Sequence, residues 1–430
     1  MAANKPRGLL VLDMSYSLEA IRERKLEHSV TCRDLDGFFE HVWTVHPAAT
    51  LVTSDRWTER FGRPVFHQLS PRHTFIEGKV GRFSFLRPFG ALNFLLSQIN
   101  LVAILVKLIR KRDISAVRAG SPLYTGLLGW VLSRISGIPL VLRIGENYDR
   151  SYQATGQPMQ PRIFRKRWVE KIVERFVFAR SDLVAGANQD NLDFALSNGA
   201  RKERSTLFRY GNLVDQQHFT DPQDREDGRP LLAELGVEST SFLLYIGRLT
   251  PIKLADDVVR VLAELRQRHH KTKALLVGDG PMRQEIVALA ATLGVSEDIV
   301  LCGNRDQEWL ARVIPLAAVV VSPVTGRALT EAALGSAPIA AYDVDWQKEL
   351  IQTGETGELV TYGNWKGLAD ATERLLTRSE YARQMGRAAR AQALDMMDPQ
   401  KLNKHEQEQY KALLQRYARP ADKPQKFNQF

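Results

Sequence analysis

From Phe242 to Asp343 the chain repeats one pattern, a short apolar run, a turn of small residues, then an amphipathic stretch. The runs are FLLYIGR (242–248), KALLVGD (273–279), DIVLCG (298–303), AAVVVSP (317–323) and APIAAYD (337–343). Between them, DDVVRVLAELRQRHH (256–270) and GPMRQEIVALAATLG (280–294) space their apolar residues as helices do. Continuously apolar runs of strand length fit parallel strands covered on both faces. Parallel neighbours cannot be joined by hairpins, so the intervening helices must cross over. The second half is therefore expected to be a Rossmann-type α/β unit.

The first half carries the same signal less regularly, in GLLVLD (8–13), HVWTV (41–45), ISAVRAG (114–120), PLVLRIG (139–145) and SDLVAG (181–186). At 430 residues the chain exceeds one ordinary core. A polar stretch at 215–241, broken by Pro222 and Pro230, is where a hinge falls. The expected organisation is an N-terminal domain over 1–214, a second over 215–400, a charged amphipathic helix over 401–417 and a loose tail over 418–430. Both domains are expected to be Rossmann-like and to face each other across a cleft.

Two cysteines, Cys32 and Cys302, give neither a disulfide framework nor metal-ligand spacing, which fits a reducing cytoplasmic setting and no metal. The apolar core of the N-terminus is too short for a signal peptide. The most hydrophobic stretch, 93–113, is interrupted by Ser97, Gln98, Asn100 and Lys107 and reads as a buried helix feeding the next strand. A net charge of +10 implies attraction to anions without saying which.

Ligands of open α/β sheets bind beyond the carboxyl ends of the strands. There the first run of the second half ends in Gly247-Arg248 followed by Lys253, a glycine for close approach and two cations suited to a diphosphate. The next ends in Gly278-Asp279-Gly280, a tight strand-to-helix turn. After Pro323, Thr325-Gly326-Arg327 opens a helix to about Gly335, whose free N–H groups form an anion site. Glu331, one turn further in, is placed to accept from both hydroxyls of a ribose. Cations, helix N–H groups and a diol-binding carboxylate together describe a nucleotide-sugar site. Neither a GxxxxGK[ST] sequence nor a chain-opening GxGxxG is present, which disfavours ATP hydrolysis and NAD chemistry.

The ordered set GRLTPIK, LLVGDGP, LCGN and VVVSP…TGRALTEAALGSAPIAAYD resembles the nucleotide-binding domain of glycosyltransferase family 4, retaining enzymes of the GT-B fold within the group 1 glycosyl transferases. The similarity covers roughly residues 180–395 and includes YGNLVDQQHF (210–219). It implies that Arg248 and Lys253 hold the donor diphosphate and Glu331 the ribose. The backbone around Gly303 and Asn304 would line the base pocket, and Gly326, Arg327, Ala328 and Leu329 would offer N–H groups to the distal phosphate. No divalent metal or other cofactor is implied, and the last helix is expected to cross back to the first domain. A family acid that often lies eight residues before the ribose-binding glutamate is replaced here by Pro323.

The first half departs further. LDMSYSLEAIRERKLEH stands where relatives place a glycine-rich loop, and Gly145-Glu146-Asn147-Tyr148-Asp149 where they place His-Asp. Glu146 is the candidate to orient an acceptor hydroxyl, with Asp149 and Arg118 also expected to face the cleft. In PRIFRKRWVEKIVERFVFAR (161–180), Val169, Ile172, Val173, Phe176 and Val177 form one helical seam, and a basic cluster at its start suits an anionic membrane face. The expected partners are a nucleoside diphosphate sugar and a glycan or lipid-linked acceptor, with peripheral attachment to the inner membrane face and no nucleic acid. Open alternatives are an epimerase or hydrolase of nucleotide sugars, using Glu146 with His28 or His46, and a non-catalytic nucleotide-sugar binder.

Overall fold

A computed structural model describes residues 7–23, 25–49, 60–237 and 241–417. The expected tail at 418–430 lies outside them. The chain divides into two compact units, the first running to Tyr152, then Gly156–Arg209 and again from Gln400, the second comprising Tyr210–Pro399 with Gln153–Thr155.

The second unit is a parallel sheet of β9 (Phe242–Ile246), β10 (Lys273–Val277), β11 (Ile299–Gly303), β12 (Val319–Ser322), β13 (Ile339–Asp343) and β14 (Glu358–Thr361). Their spatial order is β11-β10-β9-β12-β13-β14, so the order reverses at β9. Strand alternation sorts the side chains of β9 into two cores. Phe242, Leu244 and Ile246 pack on one face, against Leu329 and Ala333 among others. Leu243 and Tyr245 pack on the opposite face with Val258 and Leu262. The crossover helices are Ala255–Gln267 and Arg283–Thr292, and the helix opened by Gly326 runs Arg327–Leu334.

In the first unit, β1 (Gly8–Leu12) lies central in an eight-stranded sheet among the described residues. β2 (His41–His46), β4 (His73–Glu77) and β3 (Val65–Ser70) extend from one side of it. From the other side extend β5 (Ile114–Ala119), β6 (Leu140–Ile144), β7 (Leu183–Gly186) and β8 (Ser205–Leu207). Only the β3–β4 hairpin is antiparallel within that sheet. The last helix, Pro399–Tyr417, belongs to this unit. Its Tyr410 and Leu413 pack with Leu9 and Val11 of β1, and Glu406 is buried between two arginines, 3.2 Å from Arg143 Nη1 and 3.6 Å from Arg118 Nη1. Arg118, expected to face a cleft, is instead a buried partner of this helix.

The helix expected over 161–180 begins at Arg167. The expected seam is shifted around the barrel of the helix. Arg167, Glu170 and Glu174 are buried with Val177 and Phe178, while Ile172 is exposed. Arg167 reaches Glu170 at 2.9 Å, Glu174 at 2.5 Å and Asp149 at 2.8 Å, so part of the basic cluster assigned to a membrane points inward.

Candidate functional site

The reversal at β9 leaves strand ends on either side of its own carboxyl end, and the candidate residues sit on those ends. Backbone hydrogen bonds tie three of the loops together. Gly247 N donates to Val277 O at 3.0 Å, Gly278 N to Gly303 O at 2.8 Å, Leu249 N to Asp279 O at 3.0 Å, and Met282 N to Leu249 O at 3.0 Å. The fit requires glycine at Gly278, whose φ is +135° and where a Cβ would lie 1.9 Å from Gly247 O. Gly280 is confined by space alone, since a Cβ there would lie 2.3 Å from Leu249 O. Gly303 adopts φ +66°, turning the chain so that Asn304 is exposed at the rim.

On this frame Arg248 is exposed and its guanidinium forms no ion pair among the described residues. Lys253 ends a short 3-10 turn, Pro251–Lys253, and is half-buried. Leu254 follows with φ +50°, redirecting the chain into helix Ala255–Gln267.

The neighbouring loop, after β12, is braced from below. Gln347 is fully buried and donates to Pro323 O at 3.0 Å and Tyr342 O at 2.8 Å, while its Oε1 accepts from Thr325 N at 3.2 Å. Thr325 also bonds Ser322 through its hydroxyl. Leu329 N donates to Gly326 O at 3.1 Å. The N–H groups of Thr325 and Leu329 are thus engaged within the loop. The N–H groups of Gly326 and Ala328 have no partner among the described residues.

Glu331 is 2% exposed. Its Oε1 accepts from Arg327 Nε at 3.0 Å, while Oε2 makes no hydrogen bond among the described residues. Arg327 also donates to Leu213 O at 3.3 Å, pinning the YGNLVDQQHF segment against this helix. Arg327 is therefore the clamp on Glu331. Beside them His218 is fully buried, with Nε2 donating to Gln307 Oε1 at 2.9 Å. Burial holds its pKa below the ordinary 6.5, against the opposing pull of Glu331. Neither His218 nor Gln347 is visible as a site residue in sequence, because each arrives from a distant segment.

In the first unit Glu146 follows β6 and is half-buried, its Oε1 accepting from Ser151 Oγ at 2.7 Å. Asn147 caps the next helix by accepting from the N–H groups of Asp149 and Arg150, both at 3.2 Å. Asp149 is held by Arg167, Lys171 and Asn198, which assigns it to packing. His46 is buried, with Nδ1 accepting from Ala48 N at 3.3 Å.

Residues 233–392 match the sequence model of the family described as Glycosyl transferases group 1. The alpha-D-kanosaminyltransferase of Streptomyces kanamyceticus is 26% identical over 264 residues, 60% of this chain and 67% of that protein. The D-inositol 3-phosphate glycosyltransferase of Nocardia farcinica is 30% identical over 236 residues, 52% of this chain, so that the match spans about half (51%) of that relative. Among solved structures, Anabaena Alr3699/HepE in complex with UDP and glucose superposes with TM-score 0.70 at 20% identity, covering 94% of this chain and 100% of that one. Sucrose-phosphate synthase from Thermosynechococcus elongatus gives TM-score 0.73 at 17% identity, covering 95% and 100%. The two α/β units have the GT-B architecture, and residues 233–392 carry a group 1 glycosyl transferase domain.

Proposed function

We propose that the protein is a retaining glycosyltransferase that moves a sugar from a nucleoside diphosphate donor to a glycan or lipid-linked acceptor of the cell envelope, working at the cytoplasmic face of the membrane. The observation that carries the reading is the Glu331 carboxylate, buried at a helix start beside N–H groups that have no partner among the described residues, with one oxygen engaged by Arg327 and the other left for a ligand. A carboxylate so placed suits a ribose diol, and the adjoining N–H groups and cations suit its diphosphate.

In the reaction, the bond between the anomeric carbon and the diphosphate oxygen breaks as the acceptor oxygen bonds to that carbon. The electron pair leaves on the diphosphate, where Arg248, Lys253 and the Gly326 and Ala328 N–H groups receive the charge. The leaving phosphate oxygen takes the acceptor's proton, and retention follows from attack on the face it vacates. These fixed positive groups supply the charge stabilisation without a divalent ion. Glu146 orients the acceptor hydroxyl through the carboxylate oxygen not engaged by Ser151.

The test is calorimetric titration with UDP, GDP, ADP and dTDP, and with their sugars, on the intact chain and on Arg248→Ala and Lys253→Ala. One nucleotide series is expected to bind, weakened at least ~10-fold, about 1.4 kcal/mol, by either substitution. Unchanged binding in both variants would overturn the assignment.

A further inference from the structure

Between Gly78 and Arg112 the sequence has seven lysines and arginines and no aspartate or glutamate. In the structure this stretch also displays its apolar side chains outward. Helix Gly90–Lys111 is inverted over its first half, burying Asn93, Ser97 and Gln98 while Leu92, Leu95 and Ile99 are 49%, 55% and 57% exposed. Phe85 and Phe89, in the segment just before it, are 74% and 63% exposed.

The buried polar residues are anchors. Asn93 Oδ1 accepts from the N–H groups of Arg82 and Phe83 at 2.6 and 2.9 Å, and its Nδ2 donates to Phe83 O at 2.6 Å. Ser97 donates to Lys79 O at 2.7 Å. The loop is thereby fixed to the helix, with the Phe83 and Phe85 rings 5.3 Å apart and the Arg82 guanidinium 5.1 Å from the Phe83 ring. Single exposed leucines are ordinary on a protein surface, but a contiguous set on two consecutive pinned elements marks a docking surface. Further along, the outer face turns basic at Lys107 and Arg110, while Leu101, Leu105 and Ile109 continue the inner stripe.

Charge selects the occupant. A second copy would bring two sets of seven cations together, whereas an anionic lipid surface offers acyl chains to the apolar residues and phosphates to the cations. The helix is long and apolar enough to cross a bilayer, yet its inner stripe, from Asn93 to Ile109, is packed into the first unit, so it lies along a surface. We propose that the outward face of residues 82–110, from Phe85 to Ile99 with its basic ends, docks the protein on an anionic bilayer. The helix after Arg167 is not the assigned contact, because Arg167 of its basic cluster turns inward to the buried Glu170 and Glu174. This inference stands without the transferase reading.

Flotation of the full chain with vesicles of phosphatidylcholine, alone or mixed with phosphatidylglycerol, tests it. Mixed vesicles are expected to retain at least ~10-fold more protein, an advantage that salt diminishes. Phe85→Ser/Phe89→Ser and Leu95→Gln/Ile99→Gln are each expected to lose ~10-fold in retention at unchanged melting temperature, because the altered side chains are exposed. Trp168→Ser/Ile172→Ser should float as the parent chain does. The proposal fails if the parent chain ignores mixed vesicles, if both patch variants float undiminished, if only the Trp168 variant is lost, or if the patch variants instead dissociate a dimer that binds no vesicles.

Discussion

Arg327 and Glu331, four residues apart on one helix face, are joined at 3.0 Å between Nε and Oε1, and the carboxylate is held almost wholly out of water. The pair fixes where the second carboxylate oxygen points before any ligand arrives. Glu331→Gln keeps a group able to accept from Arg327 but removes the charge that a diol's hydroxyls favour. Nucleotide affinity is expected to fall about 10-fold, with stability changed by less than about 1–2 kcal/mol. Glu331→Ala should cost more stability, since it leaves Arg327 beside a vacated buried site. Paired titrations and denaturant melts of the two variants check both outcomes.

The loops around β9 are held together by backbone fit. Placing a side chain at Gly278 meets Gly247 O and an unfavourable φ at once. Gly278→Ala is expected to cost about 1–3 kcal/mol and to displace the Gly247–Leu249 turn, weakening nucleotide binding as well. Gly90→Ala, where a Cβ has open space, should leave stability within about 1 kcal/mol of the parent. Urea melts compare the two.

His218 makes stability depend on pH. Its folded pKa lies below the ordinary 6.5 because burial disfavours the imidazolium, an effect that outweighs Glu331, Asp215 and the Gln307 hydrogen bond, which favour it. Below pH 6.5 the unfolded chain takes up a proton that the folded one refuses. The stabilisation is complete above pH 6.5 and drains away as the pH falls towards the folded value. The slope contributed by this one group cannot exceed about 1.4 kcal/mol per pH unit. Chemical denaturation of the parent chain and His218→Gln from pH 7 to pH 5 should show a shallower slope in the variant.

Glu406 is the counter-charge to two buried arginines, so its loss strands them. Glu406→Ala is expected to destabilise the first unit by about 3–5 kcal/mol. The second unit should unfold as before, so two probes, one in each unit, should separate in a denaturant melt. Coincident transitions with an unchanged midpoint would contradict this.

Much of the fold was legible because interior parallel strands must be apolar throughout. β9, β10, β12 and β13 announce themselves that way. The strands that escaped include β3, β8 and β14, each at a sheet edge, half-exposed and only three to six residues long. An edge strand lacks the continuous burial that produces a continuous apolar run. The seam of the helix at Arg167 was misplaced for a related reason. Periodicity counts Glu170 and Glu174 as solvent-facing, whereas the inward Arg167, with the Gln160 N–H on Glu170, compensates their burial. At the candidate site, the cations, glycines and Glu331 stand on strand ends and are readable from position. Gln347 and His218 act from remote segments, and the prior claims on the Thr325 and Leu329 N–H groups depend on how one loop turns.

The terminal helix has a bearing on how the chain comes off the ribosome. Residues that complete the first unit, Glu406 and Tyr410 among them, are translated only after the 190 residues from Tyr210 to Pro399. At about 5–20 residues per second that is a delay of roughly 10–40 s. Through that interval Arg118 and Arg143 wait without their carboxylate, and the second unit, contiguous from Tyr210 onward, can reach its native state first. The half of the protein made earliest is the half finished last.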